Sequence, residues 1–196
     1  MVSYIESVRK RLSPETRTYV DEIGIILPDA RAPKLVKPIP DSYWNLYAAW
    51  WAYVYSHLAK LGIDVAAESQ LVGYPGMYAG TTILNWETGQ PKANYWALML
   101  MRENLGSGCK LVETSLGIPY VYAQAFLARD GQRKILLINK RDRSFKISIP
   151  GGTGAQVTTV DRTTGSKPPE TKQLNDNELT LGGFAVTIIT FRRPAH

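Results

Sequence analysis

Cysteine and histidine are nearly missing from this chain: Cys109 stands alone, and His57 and His196 are the only imidazoles in 196 residues. A single thiol cannot close an internal disulfide, and one Cys with two His cannot build the ligand set of a structural zinc site. No metal and no cofactor are therefore expected. No apolar run approaches the roughly 20 residues that cross a bilayer, so no membrane partner is expected. The opening residues, MVSYIESVRKRL, lack both a continuous apolar core and a small-residue cleavage site, and do not read as a signal peptide. Charge is not gathered into a stripe: 23 Lys and Arg against 17 Asp and Glu leave +6, scattered along the chain, without the footprint of a nucleic-acid partner. Internal repeats and low-complexity segments are absent. The run Gly151-Gly152-Thr153-Gly154 lacks the Lys and following helix of a phosphate loop and reads as a hairpin turn.

What the chain does have is a 44% hydrophobic content, enough for one large domain or two small ones with a real core. Val2, Ile5, Val8 and Leu12 recur at helical spacing, so residues 2–12 read as a surface helix ended by Ser13-Pro14. TRTYVDEIGIIL has the composition of a strand, placed at Arg17 to Asp21 with Glu22 at its C-terminal end. Residues 28–40 hold four prolines and read as a loop. The pattern Tyr43, Leu46, Tyr47, Trp50, Val54, His57, Leu58, Leu61 predicts a helix over 42–61, capped by Asp41 or Ser42 and stopped by Gly62. IDVAA at 63–67 reads as a strand buried on both faces, as parallel strands are. Strand, helix, strand is a βαβ unit. A long Gly, Pro and aromatic loop then leads to a helix over 91–105 with Tyr95, Leu98, Met99 and Met101 or Arg102 facing the core.

After Gly108 the period becomes that of strands: CKLVETS, YVYAQAFLA, KILLIN, FKISIP, AQVTTVD, NELTL and FAVTIITF, joined by turns and by a polar stretch from Arg162 to Asp176. About seven short strands at this spacing predict an antiparallel sandwich. The expected fold is therefore α/β followed by all-β, divided at 1–107 and 108–196.

The residues DEIG at 21–24 and ILNWETGQPKANYW at 83–96 carry a resemblance. The first is similar to the strand-seven signature of retaining clan A glycoside hydrolases. The second, a long loop running into a last helix and then a sandwich, resembles the C-terminal region of heparanase-like β-glucuronidases and the related β-xylosidases and arabinofuranosidases. The resemblance implies the C-terminal part of a (β/α)8 TIM barrel followed by a β-sandwich. Residues 1–12 would be the sixth barrel helix, 17–22 and 63–68 the last two strands, and 42–61 and 91–105 the last two helices. It implies a carbohydrate substrate, Glu22 as nucleophile, and an extracellular or secreted setting. In these families the acid/base is a Glu after Asn on the fourth strand. The only Asn-Glu pair here, Asn177-Glu178, falls among the sandwich strands and does not match. The expectation is a fragment, inactive by itself, needing the missing N-terminal barrel portion or a complementing chain. The alternative is a non-catalytic carbohydrate-binding or scaffold module.

The residues support the same site independently. A carboxylate at the C-terminal end of a parallel barrel strand lies on the face where such barrels hold their chemistry. Retaining hydrolysis needs a second carboxyl about 5–5.5 Å from the first. Glu68, ending the second strand, and Glu87, in the long loop, either hydrogen-bond sugar hydroxyls or are solvated or bracing. Tyr74, Tyr78 and Trp86 either stack on a sugar ring or pack on the barrel rim. Trp44, Trp50 and Trp51 fit core contacts. Arg31, Lys34 and Lys37 could read a uronic acid or sulfate, or be solvated.

Overall fold

The computed structural model describes residues 1–27, 38–73 and 78–193. Tyr74, Arg31, Lys34, Lys37 and most of the proline-rich loop lie outside the described residues.

Helix α1 (Val2–Leu12) leads into strand β1 (Tyr19–Ile23), helix α2 (Asp41–Leu61) and strand β2 (Val65–Glu68). The strands pair in parallel, Tyr19 against Val65 and Ile23 against Glu68, so the expected βαβ unit is present. The strand sits two residues later than Arg17 to Asp21, and Glu22 lies within it. The displacement follows from packing: Val20 and Ile23 both turn toward α2, and the register is irregular between them. Such a bulge takes up the extra residue and re-aims the carboxylate-bearing pair Asp21 and Glu22, both of which are exposed.

Helix α2 is buried more widely than one stripe. Trp44, Tyr47, Ala48, Trp51 and Ala52 are all buried, while Leu46, expected inside, is 37% exposed. Neither Asp41 nor Ser42 caps it; Asp41 is its first residue, and Pro40 precedes it. The stop is as expected, with Gly62 left-handed at φ 76° and the N–H groups of Gly62 and Ile63 closing on Ala59 and Leu58.

The loop after β2 carries structure that its Gly and Pro content hid. Strands β3 (Gln70–Val72) and β4 (Thr82–Leu84) pair in parallel, linked through a 3₁₀ turn at Ala79–Thr81. Helix α3 (Ala93–Asn104) follows; its buried residues are Ala93, Asn94, Ala97 and Leu100, and of the expected set Leu98 and Met101 pack partly buried against the core, while Tyr95 and Met99 do not belong to it. Small side chains let α3 approach α2 and the sheet closely, leaving the larger ones half-buried around the contact.

Among the described residues the second half contains eight strands: β5 (Lys110–Val112), β6 (Val121–Leu127), β7 (Arg133–Asn139), β8 (Phe145–Ser148), β9 (Gln156–Val160), β10 (Glu170–Gln173), β11 (Glu178–Leu181) and β12 (Val186–Thr190). Six form an antiparallel sheet in the order β10-β9-β12-β7-β6-β5, and β11 pairs with β8. Strand β10 lies in what reads as a polar connection, because an edge strand with all four residues exposed has no apolar alternation to display. Gly151 to Gly154 is not a hairpin turn: β8 and β9 belong to different sheets, so it carries the chain from one layer to the other.

Both faces of the six-stranded sheet are used. Val157, Leu137 and Ile189 face Ile147, Leu179 and Leu181 of the small sheet. Leu136, Ile138, Val160, Val186 and Ile188 face Trp44, Tyr47, Ala97 and Leu100 of the helices. One apolar core therefore joins the α/β half to the sandwich, reinforced where Asn45 Nδ2 donates to the Asp161 carbonyl at 2.8 Å and Trp96 Nε1 to that of Ser166 at 2.9 Å.

Candidate active site at the ends of the parallel strands

The side of β1 and β2 away from α2 is open. Tyr19 is 58% and Val65 41% exposed, and among the described residues these strands pair only with each other. One depression lies at their C-terminal ends and another beyond the next two strands, Gln70–Val72 and Thr82–Leu84, both bordered by the turn at Ala79–Thr81.

The first, about 170 Å³, is lined by Glu22, Gly24, Ile26, Ser69, Tyr78 and Thr81. Glu22 and Tyr78, both expected at the site, thus come together. Tyr78 has φ 40°, a left-handed conformation that a bulky residue rarely adopts, and its carbonyl accepts from Thr81 Oγ1 at 2.8 Å. Tyr43 Oη fastens the same turn by donating to the Gly80 carbonyl at 2.8 Å. The glycine of the Glu-Ile-Gly motif has a steric reason: a Cβ on Gly24 would stand 2.9 Å from Thr81 Cγ2 and 3.3 Å from the Tyr47 hydroxyl.

The second, about 210 Å³, is lined by Gly73, Ala79, Thr82, Asn85, Trp86, Glu87 and Lys92. Trp86 and Glu87, also expected, share this one. Asn85 Oδ1 accepts the N–H groups of Glu87 and Thr88 and so shapes the turn that presents them.

Glu68 is placed differently. Sharing its register with Ile23, it turns toward α2, where Tyr47 Oη donates to Oε1 at 3.1 Å and the Gln70 N–H to Oε2 at 3.0 Å. Burial pushes its carboxyl up to about 7, against the opposing pull of those two donors and of Lys92.

Lys92, Tyr47 and Thr82 are site residues that the sequence reading missed. Lys92 is the N-cap of α3; its ammonium lies 3.6 Å from the Trp44 ring centroid and donates to Thr82 Oγ1. Burial lowers it to about 8, with Glu68 partly offsetting the fall. A signal existed: a cation at a helix N-terminus opposes the helix dipole, so Pro91-Lys92 at a helix start asks for a compensating partner.

His57 carries no nucleophile. It packs between Tyr53 and Tyr122 at 4.2 and 5.0 Å, between centroids. No group of three or more His, Cys, Asp or Glu able to hold a metal occurs among the described residues. No helix among them is long and apolar enough to cross a membrane.

Parallel strands with outer helices, carboxylates at the strand ends and a sandwich docked on the helices are the parts of a partial TIM barrel with an appended β-domain. The comparisons agree. Residues 121–189 match the sequence model of the C-terminal immunoglobulin-like domain of D-apionate lactonase. The whole fold is similar to the catalytic domain of a family 30 xylanase from Talaromyces cellulolyticus, with TM-score 0.63 and 16% identity over 93% of this chain and 42% of that one. It is similar to a family 39 glycoside hydrolase from Bacteroides cellulosilyticus, with TM-score 0.62 and 16% identity over 95% and 37%. A glucosidase from Croceicoccus marinus gives 0.61 and 15% over 99% and 50%. No curated protein sequence matches. The chain spans half or less of each of these structures and has the fold of the corresponding part of clan A glycoside hydrolases, barrel end and β-sandwich included.

Proposed function

We propose that this chain contributes the nucleophile side of a retaining glycoside hydrolase site. The observation that carries the reading is Glu22, exposed at the end of a parallel strand and lining a depression with Tyr78, in a fold shared with xylanases and a glucosidase. In this reading the Glu22 carboxylate attacks the anomeric carbon, and the leaving oxygen takes its proton from a second carboxylic acid. Tyr78, Trp86 and Glu87 form the sugar-contacting rim. Glu68, with Tyr47 and Lys92, forms the polar support beside it. Residues 1–107 act as the barrel part and 108–196 as the sandwich domain.

The acid/base and the strands that would cover Tyr19 and Val65 come from further βα units, on the same polypeptide or on a complementing chain. Residues 1–196 alone are then inactive. The test is hydrolysis of aryl xylosides, glucosides, glucuronides and arabinofuranosides by this chain with and without those units, each with Glu22→Gln. Activity in the completed barrel that falls at least about 10³-fold in Glu22→Gln would establish the role. Activity indifferent to Glu22 would favour a non-catalytic carbohydrate-binding or scaffold module.

A further inference from the structure

A depression of about 510 Å³, remote in sequence from Glu22, lies on the six-stranded sheet. Its origin is in the strand pattern. The sheet face that packs on the helices is apolar through Ile188, Leu136, Val160 and Val186. At the far end of the same face the side chains become polar. Gln173, Gln156 and Thr190 stand opposite one another across β10, β9 and β12, and Thr171 faces Thr158 one repeat away, their hydroxyls 3.1 Å apart. Helix α3 stops at this row: Asn104 Oδ1 accepts from Lys134, the residue opposite Thr190 on β7. The polar end of the face is thereby left uncovered, with Gln156, Thr171 and Gln173 exposed.

The lining is Gln132, Gln156, Gln173, Thr171 and Thr190, with Lys172, Arg192, Gly154 and Phe191. Three amides and two hydroxyls offer donors and acceptors together, the complement of a polyol. Arg192 is the cation on this face, since Lys172 pairs with Val157 and so stands on the side toward the small sheet, and no carboxylate lies among these residues, which adds a preference for negative charge. Arg192 is held in place by donating from Nε to the Gly154 carbonyl at 2.9 Å. The wider field has the same sign. Residues 108–196 carry 13 basic and 7 acidic side chains, the whole of the net +6, whereas residues 1–107 carry ten of each; the charge is not scattered evenly.

We propose that this groove is a binding site for an acidic, uronate-bearing oligosaccharide chain, separate from the strand-end site. The amides read ring and exocyclic hydroxyls along the ladder, whose rungs repeat at about 4.8 Å, and Arg192 takes a carboxylate. A nucleic acid fits less well, since binding through phosphates rests on about 6–10 contacts and the groove offers one cation.

The test is calorimetric titration of the whole 196-residue chain with hexagalacturonate, xylohexaose and a single-stranded DNA decamer. Expected is measurable binding of hexagalacturonate, weakened at least tenfold by Arg192→Glu and by the Gln156→Ala/Gln173→Ala pair, with unchanged circular dichroism. Both changes fall on exposed residues, so either variant serves if the other misfolds. No binding of hexagalacturonate, binding unaltered in both variants, equal affinity for xylohexaose, or tighter binding of the DNA would overturn the proposal. The measurement involves no hydrolysis, so its failure leaves the reading of Glu22 standing, and the reverse.

Discussion

The phenol of Tyr47 donates to Glu68 Oε1 at 3.1 Å, joining a fully buried helix residue to the end of a barrel strand. The pair ties α2 to the strand ends where the candidate site lies. Burial raises both groups: Glu68 to about 7, and Tyr47 well above its usual range, further helped by the adjacent carboxylate.

Tyr47→Phe removes the donor and keeps the ring packed on Trp50 and Trp51. Because that hydrogen bond favours the ionised carboxylate, Glu68 should titrate higher still in the variant. A stability loss of about 1–2 kcal/mol is expected for a buried partner left without its bond. Carboxyl-carbon NMR titration and urea unfolding measure both; an unmoved Glu68 titration would refute the coupling.

The pH dependence of stability follows from two groups of opposite sign. Folded Glu68 titrates near 7 and unfolded near 4.5, so the folded state holds the extra proton between them. Stability from this group is full below about 4.5 and falls as pH rises to 7. Lys92 titrates near 8 when folded and 10.5 when unfolded, so the unfolded state binds more protons there and stability rises between those values. Glu68→Gln should flatten the fall, gaining about 1–2 kcal/mol at pH 8 after allowing for solvent screening. Lys92→Met should flatten the rise. Urea midpoints from pH 4 to 10.5 decide it, and slopes that persist in the variants would assign them to other groups.

Gly24→Ala should cost about 1–3 kcal/mol, as overpacking does, because the new methyl meets Thr81 and the Tyr47 hydroxyl. It should also narrow the depression beside Glu22. Thermal melts give the cost. A variant as stable as the parent would mean that the turn at Ala79–Thr81 yields freely.

Ala97 is 2% exposed, in the core that α2 and α3 share with the sheet. Ala97→Leu should therefore destabilise both halves together, by about 1–3 kcal/mol. Tryptophan fluorescence, which reports the helices, and far-ultraviolet dichroism, which reports the sheet as well, should give coincident transitions in parent and variant. Two separate transitions would show halves that fold independently.

Much of this molecule was legible in one dimension. Gly62 ends its helix because only a residue without a side chain enters the left-handed region cheaply. The alternation in Phe145–Ser148 placed Ile147 inside, since a strand has two faces and only one is buried here. Glu22, with its motif, pointed to a strand end, and Tyr78 and Trp86 to the loops beside it. Strand β10 and the strands β3 and β4 were hidden, because edge strands and short pairs draw their order from partners rather than from their own pattern.

The sequence by itself determined the succession of elements and the residue types at each end, because period and turn chemistry are local. Only the tertiary structure decided which carboxylate opens onto a depression and which is held against a helix. Glu22 and Glu68 both close a strand, yet a bulge exposes the first while Tyr47, 21 residues before Glu68, captures the second. It also decided that polar residues of β9, β10 and β12 form one ladder. Cross-strand register and the place where a helix stops are set by contacts between distant segments, and no local pattern records them.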